Sequence, residues 1–207
     1  MENNLPHPPQ FTRQQAYGIL MKYLKNVNLI KHSLAAEVAM RGLYNHFYFG
    51  KPEYNELDLE TWGNTGLLHD ADYEMSKGRP EVHGLLLFDY EKDPPAGEAG
   101  ILPVIKHAIQ SHNPATGVKP ETQLDWAIRC ADQLTGLIVA AALVHPDHML
   151  SSLTPEFILK RMKEKSFAKG ADRAPILMCE EKLGIPLPEF VQILLTAMQS
   201  ISTELGL

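Results

Sequence analysis

Residues 125–144, DWAIRCADQLTGLIVAAALV, are apolar on nearly every side when wound at 100° per residue. A helix without a polar face cannot lie on a surface, so the segment 122–145 has to run through the middle of the protein with other elements wrapped around it. Asp132 nonetheless shares a face with Ile128, Thr135, Val139 and Leu143. A carboxylate in that position requires a partner.

The rest of the chain supplies the wrapping. Helical spacing recurs at 11–26, 28–47, 56–70, 80–91, 98–112, 154–165, 171–183 and 187–205, and alternating strand patterns are nearly absent, which predicts an all-α protein. Thr154-Pro155-Glu156, Pro80-Glu81 and Pro188-Glu189 read as helix starts, and Gly170 and Gly184 as breaks. The final stripe of Val191, Leu194, Leu195, Met198 and Ile201 reads as core docking or a homodimer contact. At 207 residues with 44% apolar content, a single domain over 1–207 is expected. No run of 18 apolar residues and no basic start or apolar core at the N-terminus is present, so neither a membrane span nor a secretory signal is expected, and the reading is cytoplasmic. Cys130 and Cys179 form no CxxC and read as reduced packing thiols. A net charge of −6 and a pI near 5.8 argue against stable nucleic-acid binding.

The same helical arithmetic sorts the histidines. His32 lines up with Leu29, Ala36, Ala39 and Leu43, while Lys31, Glu37 and Arg41 fall elsewhere. His83 stacks with Leu86, Leu87 and Tyr90, with Gly84 leaving room beside it. His112 continues the stripe of Ile101, Ile105, Ala108 and Ile109, and His107 sits about 140° away from it, solvated or behind the site. His69 and Asp70 close the apolar run TGLL. One inward histidine is satisfied by one carbonyl. His32, His69, Asp70, His83, His112 and Asp132 come from five helical segments, and one shared cation serves them more economically than six separate partners. Imidazoles and carboxylates suit zinc, iron, manganese, cobalt or nickel, and six donors are too many for one four-coordinate structural zinc. The count points toward two ions. His7 and His46 have no convergent context, and His145 and His148, three apart but interrupted by Pro146, read as a polar helix exit.

In order and context, His32 in KHSLAAEVAMRGL, His69-Asp70 in LLHDADYE and Asp132 in its apolar helix resemble the HD superfamily of metal-dependent phosphohydrolases, over roughly residues 28–145. PEVHG and AIQSH resemble the extra histidines of the subset that binds two metals, which carries over His83 and His112 but not His107. The resemblance implies an HD-like helical bundle, with residues 150–207 as added C-terminal helices. It also implies His32, His69 and Asp132 on one ion, His83 and His112 on a second, and Asp70 bridging, with His69 and Asp70 as the catalytic pair. HDADYE departs from the family's HD-Ile-Gly turn, which leaves the roles of Asp72, Tyr73 and Glu74 open, and no GYP element of the cyclic-dinucleotide branch is present.

The reaction so implied is hydrolysis of a phosphate ester of a small molecule, a nucleotide or dinucleotide in class, by hydroxide that divalent iron, manganese, cobalt, nickel, zinc or magnesium activates. Such chemistry needs a cation on the substrate. Arg79 is one candidate; Lys165, Lys169 and Arg173 are others, because they surround a helix break. Two alternatives stand beside this reading. One is the superfamily's branch that uses the same ligands for a mixed-valence di-iron oxygenase. The other is a nucleotide-binding sensor without turnover. No glycine-rich phosphate loop and no Ser or Cys nucleophile elbow is present.

Overall fold

The computed structural model describes residues 10–92, 99–164 and 166–207; His7, Lys165 and the first residue of the 98–112 segment lie outside them. Among the described residues the protein is all-helical, with 11 helices and no strand. In chain order these are α1 (Arg13–Tyr23), α2 (Val27–Tyr48), α3 (Glu56–Leu68), α4 (Leu87–Tyr90), α5 (Pro103–His112) and α6 (Gln123–Val144). Then follow α7 (Pro155–Met162), α8 (Arg173–Leu177), α9 (Cys179–Leu183), α10 (Leu187–Gln199) and α11 (Ser202–Leu205).

Helix α6 is the axis. It starts at a capping box in which Thr122 and Asp125 satisfy each other's backbone amides, and it touches α2, α5, α7, α8, α9 and α10. By length and mean hydropathy (1.5) it could cross a membrane, yet 56% of that window is buried within the protein, as in a core helix. Ile128 and Thr135 are buried beside Asp132, whereas Leu143, two turns further along the same face, is 56% exposed where the helix leaves the core.

Two apolar clusters form around this axis. One joins α2, α6 and α10 through residues such as Leu43, Leu134, Ile138 and Leu194. It also takes in Val191, Leu195 and Met198 of the final stripe and the free thiols of Cys130 and Cys179. The other joins α1, α3 and α5 through Leu20, Leu67, Leu68, Ile105 and Ile109. Helices α2 and α3 share the most extensive contact, and Gly66 permits it: a Cβ there would lie 2.8 Å from the Glu37 nitrogen and overlap the Ala36 carbonyl. Asn26 caps α2 by accepting from the amides of Asn28 and Leu29, while Glu74 accepts from the Lys25 and Asn26 amides, tying the loop after α3 to the start of α2.

Four segments depart from the expected helices, each for a local reason. The span 80–91 is a 3₁₀ turn (Pro80–Val82) followed by the short α4, because Gly84 adopts φ +90° between them. Helix α5 starts at Pro103 and not at 98, since the residue before a proline is pushed to extended backbone, as Leu102 is. The span 171–183 divides at Met178, whose amide bonds to Pro175 in a tighter i→i+3 turn. The span 187–205 divides after Gln199, where Ser200 and Ile201 make the same kind of bond and the Ser200 hydroxyl donates to Ala197.

Candidate metal centre

Five stretches deliver six donors to the seam between the two clusters. His32 comes from α2, His69 from the C-terminal cap of α3 and Asp70 from the next position; His112 is the last residue of α5, and Asp132 lies mid-way along α6. His83 arrives differently from the helix-face expectation. It caps the 3₁₀ turn, Tyr90 is 63% exposed rather than stacked with it, and the open space beside it belongs to Gly84, whose missing side chain leaves room for the His112 ring at 3.4 Å. Asn113 pins this turn by donating to the carbonyls of Pro80 and His83.

Asp70 sits at the centre. Its Oδ2 lies 3.5 Å from His32 Nε2; its Oδ1 lies 3.5 Å from His69 Nε2, 3.0 Å from His83 Nε2 and 3.8 Å from His112 Nε2. Asp132 Oδ1 approaches His32 at 2.9 Å and His69 at 3.4 Å. Five of the six donors therefore fall into two triads that share Asp70, His32–His69–Asp70 and Asp70–His83–His112, each with its ligand atoms within 4.8 Å of one another, and Asp132 stands beside His32 and His69 of the first.

The far side of every ring fixes which nitrogen faces inward. His69 Nδ1 meets the Gly66 carbonyl at 2.8 Å, and His112 Nδ1 meets the Ile109 carbonyl at 2.5 Å. His83 Nδ1 meets the Asp72 carboxylate at 2.8 Å. Carbonyls and carboxylates only accept, so these three Nδ1 atoms carry protons. His32 Nδ1 lies 3.3 Å from the Thr135 hydroxyl, which already donates to the Asp132 carbonyl and so accepts from the ring. When neutral, each of the four imidazoles thus turns an Nε2 lone pair toward Asp70 and Asp132. Lone pairs cannot satisfy lone pairs, and the His32 and His69 Nε2 atoms are 3.2 Å apart. Bound metal or added protons would relieve this, and outer partners that orient metal-binding histidines take this form.

Without a metal, protons fill that need. Burial pushes the His69 imidazole down, but Asp70 and Asp132 overcome it and raise its pKa to about 9. Burial likewise opposes the charged form of His83, which hydrogen bonds to Asp70 and Asp72 lift to about 10. His112 is lowered to about 4 by burial and by the charges on His69 and His83. Burial opposes ionisation of Asp70 and Asp132 too, yet both are held below the usual carboxylate range, Asp70 by His69, His83 and His32, and Asp132 by hydrogen bonds to His32 and His69. The six residues form a largely buried cluster, with charged Asp70, Asp132, His69 and His83 around a neutral His112, whose nitrogen and oxygen donors could hold a divalent transition metal.

A cleft of about 540 Å³ opens onto this cluster, with His32, Asp70, His83, His112 and Asp132 on its floor and the fully buried His69 beneath. Arg79 is exposed, bonds to the Met75 carbonyl and does not line the cleft, and neither does the exposed Lys169. Arg173 donates to the carbonyls of Phe167, Ala168 and Ala171, and so braces the loop that forms one cleft wall. His107 faces away to Asp125 at 3.0 Å. His46 lies 3.9 Å from Glu189, and His145 and His148 close the end of α6.

Sequence reasoning left HDADYE open, and the structure assigns its residues. Asp72 is buried and accepts from His83 Nδ1 and from the amides of Gly84 and Leu87. Its turn closes without a left-handed residue, so no glycine is needed there. The Tyr73 ring packs edge-on against His83, with centroids 5.3 Å apart, and lines the cleft. Gln133 donates to Asp132 Oδ2 at 2.7 Å and accepts from the Asp172 amide at 2.9 Å, linking the cluster to the far wall. That link is between residues 39 apart, and no spacing rule could have found it. The buried cluster and the helical setting are consistent with an HD-like site. In comparisons with known proteins the chain matches no family model, no curated protein and no solved structure.

Proposed function

We propose that the chain is a metal-dependent phosphohydrolase of the HD type, acting on a phosphate ester of a small molecule, a nucleotide or dinucleotide in class. One observation carries the reading: four Nδ1-anchored histidines turn their Nε2 atoms toward two triads that share the Asp70 carboxylate. In this reading His32, His69 and Asp132 hold one ion, His83 and His112 a second, and Asp70 contacts both. When bound, such a pair supplies a water of lowered pKa and neutralises phosphate oxygens. The residues around it do the positioning. Gly66, Ile109, Asp72 and Thr135 keep each imidazole proton on Nδ1, and Gln133 holds Asp132 Oδ2.

The test combines metal analysis with a substrate screen. Protein loaded in turn with manganese, iron, cobalt, nickel, zinc or magnesium is assayed for phosphate release from nucleotides and sugar phosphates. Asp70→Ala is expected to lose both bound metal and activity. Retained metal stoichiometry in that variant would remove the shared role of Asp70. Oxygen uptake without phosphate release would replace hydrolysis with oxygenase chemistry, and tight nucleotide binding without turnover would make the protein a sensor.

A further inference from the structure

Arg129 stands three residues before Asp132 on α6, a spacing that places both side chains on one helix face. Its guanidinium lines the cleft on the His112 side, with Nη1 3.3 Å from the carbonyl of Ser111, the residue before that histidine. Arginine offers five N–H donors in a planar fork, and among the described residues this long contact is its only hydrogen bond. The buried Nε has no partner. The Trp126 ring, with its centroid 5.7 Å from the guanidinium carbon, holds the group in place but does not neutralise it. A half-buried cation with no carboxylate partner, beside a cluster built for cations, is satisfied by an anion that both contact.

The remaining walls limit how much anion the cleft accepts. Among the described residues Arg129 is the one arginine or lysine that lines it, the histidines there belonging to the metal cluster of the reading above, and the other walls include Leu29, Tyr73, Gly136, Ala171 and Pro175. Two divalent ions exceed the charge of Asp70 and Asp132 by two, and Arg129 adds one more positive charge, which a single phosphate dianion largely neutralises. A second or third phosphate would find no further cation there and would meet Asp172. Resting on the hydrolytic reading above, we infer that Arg129 binds the scissile phosphate opposite the metal cluster, and that the cleft takes a phosphomonoester with an uncharged remainder and not a di- or triphosphate.

The test is calorimetric titration of the metal-loaded protein with inorganic phosphate and with pyrophosphate, for wild type, Arg129→Gln and Arg129→Lys, with metal content re-measured after each titration. Phosphate is expected to bind wild type, and to bind Arg129→Gln about tenfold to a hundredfold more weakly at unchanged metal content. Arg129→Lys should fall between, since a point charge keeps the attraction and loses the fork. Pyrophosphate should bind wild type no more tightly than phosphate. Equal phosphate affinity in Arg129→Gln would overturn the role of Arg129; should that variant fold poorly, equal affinity in Arg129→Met, which also removes the charge, does the same. Tighter pyrophosphate binding would overturn the single-phosphate assignment. A metal-loaded wild type that binds neither anion refutes the hydrolytic reading itself.

Discussion

Asp72→Asn separates the support of the site from its ligands. The Asp72 side chain holds three donors: Oδ1 accepts from His83 Nδ1 at 2.8 Å and from the Gly84 amide at 3.0 Å, and Oδ2 accepts from the same amide at 3.0 Å and from the Leu87 amide at 3.2 Å. Asparagine fits the same space but keeps one acceptor. If its oxygen stays with His83 and Gly84, its NH₂ confronts the Leu87 amide in a site that is 1% exposed. One charge-assisted bond is lost and a buried donor is orphaned, which together cost roughly 2–4 kcal/mol. In a chain of this length that corresponds to a melting temperature lower by roughly 5–15 °C. In the proposed two-ion site the metal effect is one-sided: His83 loses its fixed orientation, so affinity at the His83–His112 triad falls about 10–100-fold while an ion held by His32, His69 and Asp132 would stay. Elemental analysis after dialysis against a weak chelator, with thermal melts of the metal-free protein, reads both effects. A variant that melts like wild type and keeps full metal content would refute the argument that this carboxylate builds the His83 turn.

Two further outcomes follow from the same geometry. His112→Ala should lose metal from the second triad, whereas His107→Ala, which breaks a 3.0 Å contact to Asp125 on the outer side of α5, should keep native stoichiometry and cost about 1 kcal/mol; the reverse pattern in elemental analysis would show that the wrong histidine faces the site. The second outcome is pH dependence. In the metal-free fold His69 and His83 are raised from 6.5 to about 9 and about 10, so their contribution to stability is fully present below 6.5 and is lost as pH rises through those values. Metal-free protein should therefore lose melting temperature as it is made alkaline. Metal uptake near neutrality should release protons, because the same nitrogens must be deprotonated to bind. Calorimetry in buffers of different ionisation enthalpy detects that release, and proton-neutral uptake would contradict it.

What could be read in advance depended on how regular the backbone is. His32 and Asp132 sit on α2 and α6, 22 residues each, where 100° per residue holds for several turns and a face assigned from spacing is the face observed. The same arithmetic selected His112 over His107 on α5. It also selected His83, but by treating 80–91 as one helix; the ring points inward because Asp72 and Gly84 shape a turn, which periodicity cannot describe. Asp72 itself was illegible because its partners lie 11, 12 and 15 residues downstream, two of them backbone amides that any residue type supplies.

The basic residues show the other side of that limit. Arg173 was singled out because it flanks a helix break, and such breaks expose backbone amides that attract anions. A break exposes carbonyls as well, and Arg173 is turned toward those of Phe167, Ala168 and Ala171. Arg129 lies inside a 22-residue helix, away from any such break, so a search for basic residues at helix breaks does not reach it. The usable signal is its distance of three from Asp132: the two side chains share a helix face, and both line the same cleft.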